Sequence, residues 1–121
     1  MGHYRGSCHC GAIQFEVDAE PDEITSCDCS LCVKKNARMI EVHESQLSLR
    51  HGTEALATYR WNSRVARHHF CNRCGIYVFH RKRGAPDHFG VNIFCLEGFD
   101  ADALPVRQTD GATMTVMETP P

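Results

Sequence analysis

Seven of the eight cysteines fall into three tight clusters, and no other feature restricts the fold so strongly. "SCHCG" carries Cys8 and Cys10, "SCDCSLC" carries Cys27, Cys29 and Cys32, and "FCNRCG" carries Cys71 and Cys74, while Cys95 stands alone in "GVNIFCLEG". An even count of cysteines suggests a disulfide scaffold first. The opening "MGHYRGSCHC" has no apolar run of the kind a secretory leader needs, so the expected compartment is the cytoplasm. In that reducing setting clustered cysteines serve metal binding or catalysis rather than disulfides.

Two thiolates two to four residues apart on a tight turn reach one zinc ion without strain. A structural site takes four such ligands, and a catalytic one keeps three and leaves a corner for water or substrate. Seven clustered thiols therefore divide as four plus three. Spacing leaves the partition open. Cys29 and Cys32 pair with Cys71 and Cys74 in a zinc-ribbon scheme, at a separation longer than the usual ribbon interval. Alternatively Cys8 and Cys10 join Cys71 and Cys74, which keeps Cys27, Cys29 and Cys32 together.

The chain has 121 residues and a mass of 13.6 kDa, enough for one core and small enough to benefit from a metal staple. Its formal net charge is −2 and its pI about 6.4, which argues against general binding to nucleic acid or to anionic membrane. Seven metal-bound thiolates and two zinc ions would move the charge by −7 and +4, to about −5. "KK" at 34–35 and "RKR" at 81–83 read as solvated loop edges. No stretch of 18 or more apolar residues occurs, so a membrane span is not expected.

The apolar pattern is mostly period two. "AIQFEV" sets Ile13, Phe15 and Val17 against Gln14 and Glu16, and "QLSLR", "TYRW", "IYVFH" and "HFGVNIF" repeat the strand signal between glycines. Only "SLCVKKNAR", with Ser30 as N-cap, and "FDADALP" suggest helical turns. The expected fold is mainly β, one domain over residues 1–106, with an extended tail over 107–121 in which "MTVM" offers an edge strand.

The ordered series "GSCHCGAIQFEV", "SCDCSLC", "HHFCNRCG" and "VNIFCLEG" resembles the glutathione-dependent formaldehyde-activating enzyme (Gfa) family, which also includes centromere protein V, from about Gly6 to Gly98. The resemblance implies a small domain of packed, zinc-stapled β-sheets of the β-tent type. It implies two Zn²⁺ per chain, a structural one on Cys8, Cys10, Cys71 and Cys74 and a catalytic one on Cys27, Cys29 and Cys32. It also implies a carbon–sulfur lyase that joins or separates a small thiol such as glutathione and an aldehyde such as formaldehyde, as in S-(hydroxymethyl)glutathione synthesis. Asp28 stands where the family commonly has His, and Ile76 where a small hydroxyl residue is frequent. A non-catalytic zinc module for protein or nucleic-acid association is the alternative, and a thiol-based sensor a third.

Other residues have more ordinary expectations. Cys95 reads as a buried small hydrophobe at a strand end, with ligation as the alternative. His9 lies within the first cysteine turn, where a hydrogen bond to the ligand shell outranks ligation. His68 and His69 are consecutive on a strand, so only one of them faces a given pocket. A substrate with two carboxylates calls for cations, and Arg64, Arg67, Lys34 and Lys35 are the candidates. Trp61, Phe70 and Phe79 read as core.

Overall fold

The computed structural model describes residues 2–27, 34–35, 37–60, 67–82 and 87–109. Among these, ten strands form two sheets, three single 3₁₀ turns lie at Glu44–Gln46, Thr53–Ala55 and Ile93–Cys95, and Lys34 and Lys35, within the expected helical turn, are α-helical. In chain order the strands are β1 (His3–Ser7), β2 (Gln14–Asp18), β3 (Ile24–Cys27), β4 (Arg38–His43), β5 (Leu47–His51), β6 (Leu56–Tyr59), β7 (Arg67–Cys71), β8 (Tyr77–Arg81), β9 (His88–Asn92) and β10 (Val106–Thr109). The small sheet runs β1-β2-β5, and the large one runs β10-β3-β4-β9-β8-β7-β6. This is the mainly β fold that the alternation predicts. Among the described residues no helix is long and apolar enough to cross a membrane.

The core lies between the sheets, and period-two alternation builds it. Phe15 and Val17 of β2 point inward together with Ile13, while Gln14 and Asp18 point to solvent. They meet Ile40 and Val42 of β4, Val78 and Phe79 of β8, and Phe89 and Val91 of β9. Phe79 is the hinge of an aromatic chain, edge-on to Phe15 at 5.3 Å and to Phe89 at 5.3 Å. Phe79 is therefore core, as expected.

The strand "RMIEVH" does not alternate, and burial explains why. Ile40 and Val42 of β4 face the main core, whereas Met39 is buried on the opposite face with Ala37 and Tyr77. The central strands of the large sheet thus have two occupied faces. On that outer face Thr25, only 5% exposed, donates through Oγ1 to the Met39 carbonyl at 3.3 Å.

The expected tail begins at Arg107, and Arg107, Gln108 and Thr109 continue β10, which lies parallel to β3 in the register Val106–Ile24 to Thr109–Cys27. The exposed Arg107 guanidinium holds Glu23 at 2.8 and 2.9 Å. "MTVM" lies outside the described residues.

Candidate metal centre and an adjoining histidine cluster

Two turns meet where the sheets meet. Cys8 and Cys10 follow β1, and Cys71 ends β7 with Cys74 in the turn that leads to β8. Each turn closes on a glycine in the left-handed region, Gly11 at φ 82° and Gly75 at φ 81°. That geometry swings the chain back so that main-chain N–H groups face sulfur. Ile13 N–H donates to Cys8 Sγ at 3.3 Å, and the N–H groups of Arg73 and Cys74 reach Cys71 Sγ at 3.3 and 3.5 Å. The second turn is tied down from outside as well, because Asn72 donates through its backbone to Ala55 and through its side chain to Glu54.

The four sulfurs lie within 4.8 Å of one another, with Cys8–Cys10 and Cys10–Cys71 both at 3.7 Å. A tetrahedron with zinc–sulfur bonds of about 2.3 Å has an edge of about 3.8 Å. The donor set fits one zinc ion in geometry and in chemistry. Burial pushes the Cys74 thiol up, but the N–H groups of Ile76 and Cys10 and the neighbouring thiols outweigh it and hold it at about 6. The N–H groups of Cys74 and Arg73 bring Cys71 below the ordinary thiol range. The Ala12 N–H draws Cys10 down, yet burial and the thiols of Cys8, Cys71 and Cys74 prevail and raise it to about 11. Four crowded thiolates repel one another, and a divalent cation is the countercharge that lets all four ionise.

Cys8, Cys10, Cys71 and Cys74 are thus brought together, so their pairing no longer depends on spacing. Of the three-cysteine set, Cys29 and Cys32 lie outside the described residues, and Cys27 is placed by its backbone as the last residue of β3. Cys95 is partly buried against the core and donates to the Tyr77 carbonyl at 3.5 Å. It is not among the four clustered thiols. Burial raises its pKa to about 11, the direction of a thiol packed among apolar side chains. His9 is exposed and is not in the cluster either.

A second polar group sits on the outer face of the large sheet. His68 on β7 pairs with His80 on β8, and their rings stack at 5.1 Å. Lys35 Nζ lies 3.1 Å from His68 Nδ1 and 3.6 Å from the centre of the Tyr77 ring. The Tyr77 hydroxyl is 2.5 Å from His80 Nδ1 and 3.2 Å from both the Gly90 carbonyl and Met39 Sδ. Burial, then the Lys35 charge, lowers His68 to about 4 and His80 well below the ordinary value. Both imidazoles are neutral at pH 7.

Of the consecutive histidines, His68 joins this cluster and His69 turns the other way, to the Thr58 hydroxyl at 3.0 Å and the Phe79 ring. Lys35 is the predicted cation that arrives here. Arg67 instead lines a groove on the far side with Leu56, Phe89 and Arg81, and Arg64 and Trp61 lie outside the described residues. Tyr77 escaped sequence reasoning because it reads as one aromatic of a strand. The available signal was the pairing of His68 with His80 across the "CNRCG" turn, which puts two imidazoles on one face of a hairpin.

A model of the glutathione-dependent formaldehyde-activating enzyme family matches residues 3–109. Among solved structures, a Rhodobacter sphaeroides protein determined in a structural genomics programme superposes with a TM-score of 0.77 at 37% identity, covering 85% of this chain and 99% of its own. With both cysteine turns converging in a fold shared along most of its length, the chain belongs to the glutathione-dependent formaldehyde-activating enzyme family.

Proposed function

We propose that the protein is a carbon–sulfur lyase that equilibrates a thiol–aldehyde adduct with its free thiol and aldehyde, glutathione and formaldehyde being the pair the family name indicates. The observation that carries this is the family match over residues 3–109, which includes all three cysteine clusters. The four-thiol staple accounts for Cys8, Cys10, Cys71 and Cys74 and leaves Cys27, Cys29 and Cys32 for a second task.

Cys27, Cys29 and Cys32 would hold a second zinc, which in a three-thiolate shell supplies an open position for an external sulfur and favours its thiolate form. The chain contributes position and proton handling. Thiols add to aldehydes without help, so the gain comes from holding sulfur and carbonyl carbon in attack geometry and from delivering one proton. Modest catalysis suffices for such a reaction.

Elemental analysis of protein purified without chelator tests the ligand partition. Two zinc ions per chain are expected, and Cys29→Ser should lower this to one with an unchanged circular dichroism spectrum. Turnover of the glutathione–formaldehyde adduct should fall with the lost ion. A single zinc in the parent protein, unchanged in the variant, together with no turnover, would leave a stapled binding module and reject the lyase.

A further inference from the structure

The His68–His80–Tyr77–Lys35 cluster lies on the face opposite the main core, and the four-thiol staple makes no use of it. Its parts hold one another firmly. The Tyr77 hydroxyl touches three groups, and Asn92 Nδ2 and Cys95 Sγ both donate to the Tyr77 carbonyl. The His80 ring packs against Gly90, where a Cβ would come within 2.4 Å of Cε1. Lys35, an intrinsically mobile side chain, is fixed against both an imidazole nitrogen and an aromatic face. Because the ammonium donates to His68 Nδ1, the neutral ring carries its proton on Nε2. The result is a cation and an imidazole N–H set in place beforehand, the usual equipment for a developing negative oxygen.

The position of the cluster points to the reaction it serves. The chain enters the three-cysteine segment from Cys27 at the end of β3, whose Thr25 is paired with Met39, and Met39 accepts from Tyr77. It leaves the segment at Lys34 and Lys35, and Lys35 sits on the Tyr77 ring. The exit of that segment is therefore held at this cluster by Lys35, and its entry lies on β3, which pairs with the strand that carries Met39.

We propose that Lys35 and His68 bind the oxygen end of the thiol–aldehyde adduct, with Tyr77 and His80 as positioning residues. This rests on the lyase reading above and extends it from sulfur to oxygen. In the cleavage direction the hydroxyl proton leaves oxygen, an oxygen electron pair forms the carbonyl, and the carbon–sulfur bond breaks with its pair on sulfur. The proton returns on sulfur, so the products are a neutral thiol and an aldehyde, and no oxidant or reductant is consumed. Charge on oxygen peaks between proton loss and bond cleavage, which is where an ammonium and an N–H lower the barrier.

The test uses the full-length, zinc-loaded protein with three readouts: zinc per chain, steady-state turnover of the glutathione–formaldehyde adduct, and the imidazole signals of His68 and His80 by nitrogen-15 NMR. Lys35→Met should keep its zinc and lose about 100-fold in kcat with KM changed less than about threefold. Lys35→Arg should recover part of the loss. Tyr77→Phe keeps the ring beneath Lys35 but releases His80, and should shift the pH profile of kcat. Adding adduct should move both imidazole signals in the parent protein, and S-methylglutathione, which lacks the hydroxyl, should not. Parental turnover in Lys35→Met, or imidazole signals unmoved by adduct, would overturn the proposal while leaving the lyase intact. Imidazole signals that move in a parent protein without turnover would support oxygen binding here and reject the lyase.

Discussion

His68 is only 8% exposed, and its neutrality couples the fold to pH. Burial, reinforced by Lys35 and His69, lowers its pKa to about 4 from an ordinary 6.5. Between those values the unfolded chain binds a proton that the folded chain does not, so stability is complete above about pH 6.5 and is lost as the pH falls toward 4. The loss attributable to this group is on the order of 3 kcal/mol. Urea unfolding of zinc-loaded protein at pH 7, 6 and 5 measures it, and His68→Gln should flatten the slope over that range. Acid loss of zinc affects parent and variant alike, so the difference between their slopes isolates the histidine. Identical slopes would mean that His68 takes up its proton over the same pH range in the folded and unfolded chain. Exposed carboxylates act in the same direction at lower pH: the Arg107 guanidinium beside Glu23 and the His88 ring beside Asp87 hold those groups below their usual range.

At the scale of strands, β8 and β9 show how one contact ties packing to chemistry. His80 and Gly90 are directly paired, and the imidazole occupies the space that a side chain at 90 would need. Gly90→Ala should expel the ring, break its bond to the Tyr77 hydroxyl and destabilise the protein by about 1–3 kcal/mol. A lowered urea midpoint with an unchanged zinc content is the expected result, and an unchanged midpoint would show that the ring relocates without cost. The strands also differ in how plainly the sequence declares them. β2 is legible because Phe15 and Val17 are buried between polar neighbours. β4 is not, because Met39 serves a second buried face and spoils the alternation. β1 and β3 are nearly silent: Gly6 gives its place to the Phe15 ring, and "ITSC" has only Ile24 as an apolar anchor. The pairs Cys8/Cys10 and Cys71/Cys74 are legible in the sequence as candidate ligands, because zinc chemistry fixes residue type and short spacing. The Lys35–His68–Tyr77–His80 cluster is not, since its members meet only through the pairing of β7 with β8 and the return of the chain at Lys35.

For the whole molecule, the four-thiol cluster, which could hold a metal, brings the turn after β1 in the small sheet to the turn after β7 in the large one. Cys10 and Cys71 are 61 residues apart in sequence, so a metal link between them removes much of the freedom of the unfolded chain. Loop-closure entropy for that separation corresponds to about 4 kcal/mol. Stripping the ion with a strong chelator should lower the unfolding free energy by at least that amount, and Cys71→Ser should do the same without chelator. A denaturation midpoint indifferent to both would show that the four thiols are bystanders to stability. The inner sulfurs favour the larger effect, because Cys71 is fully buried and Cys8 is 3% exposed, so their charges have no water to turn to once the ion is gone.

The same link has a mechanical meaning. If the two ends of the chain were drawn apart, tension would run along β1 to the first cysteine turn, cross the ion, and continue from the second turn toward the C-terminus. The chain between Cys10 and Cys71, 61 residues of separation, would bear no load while the sulfur–metal bonds held. When they gave way it would pay out roughly 200 Å of slack in a single step. A metal placed there makes the protein a latch whose strength is set by thiolate bonds rather than by its sheets.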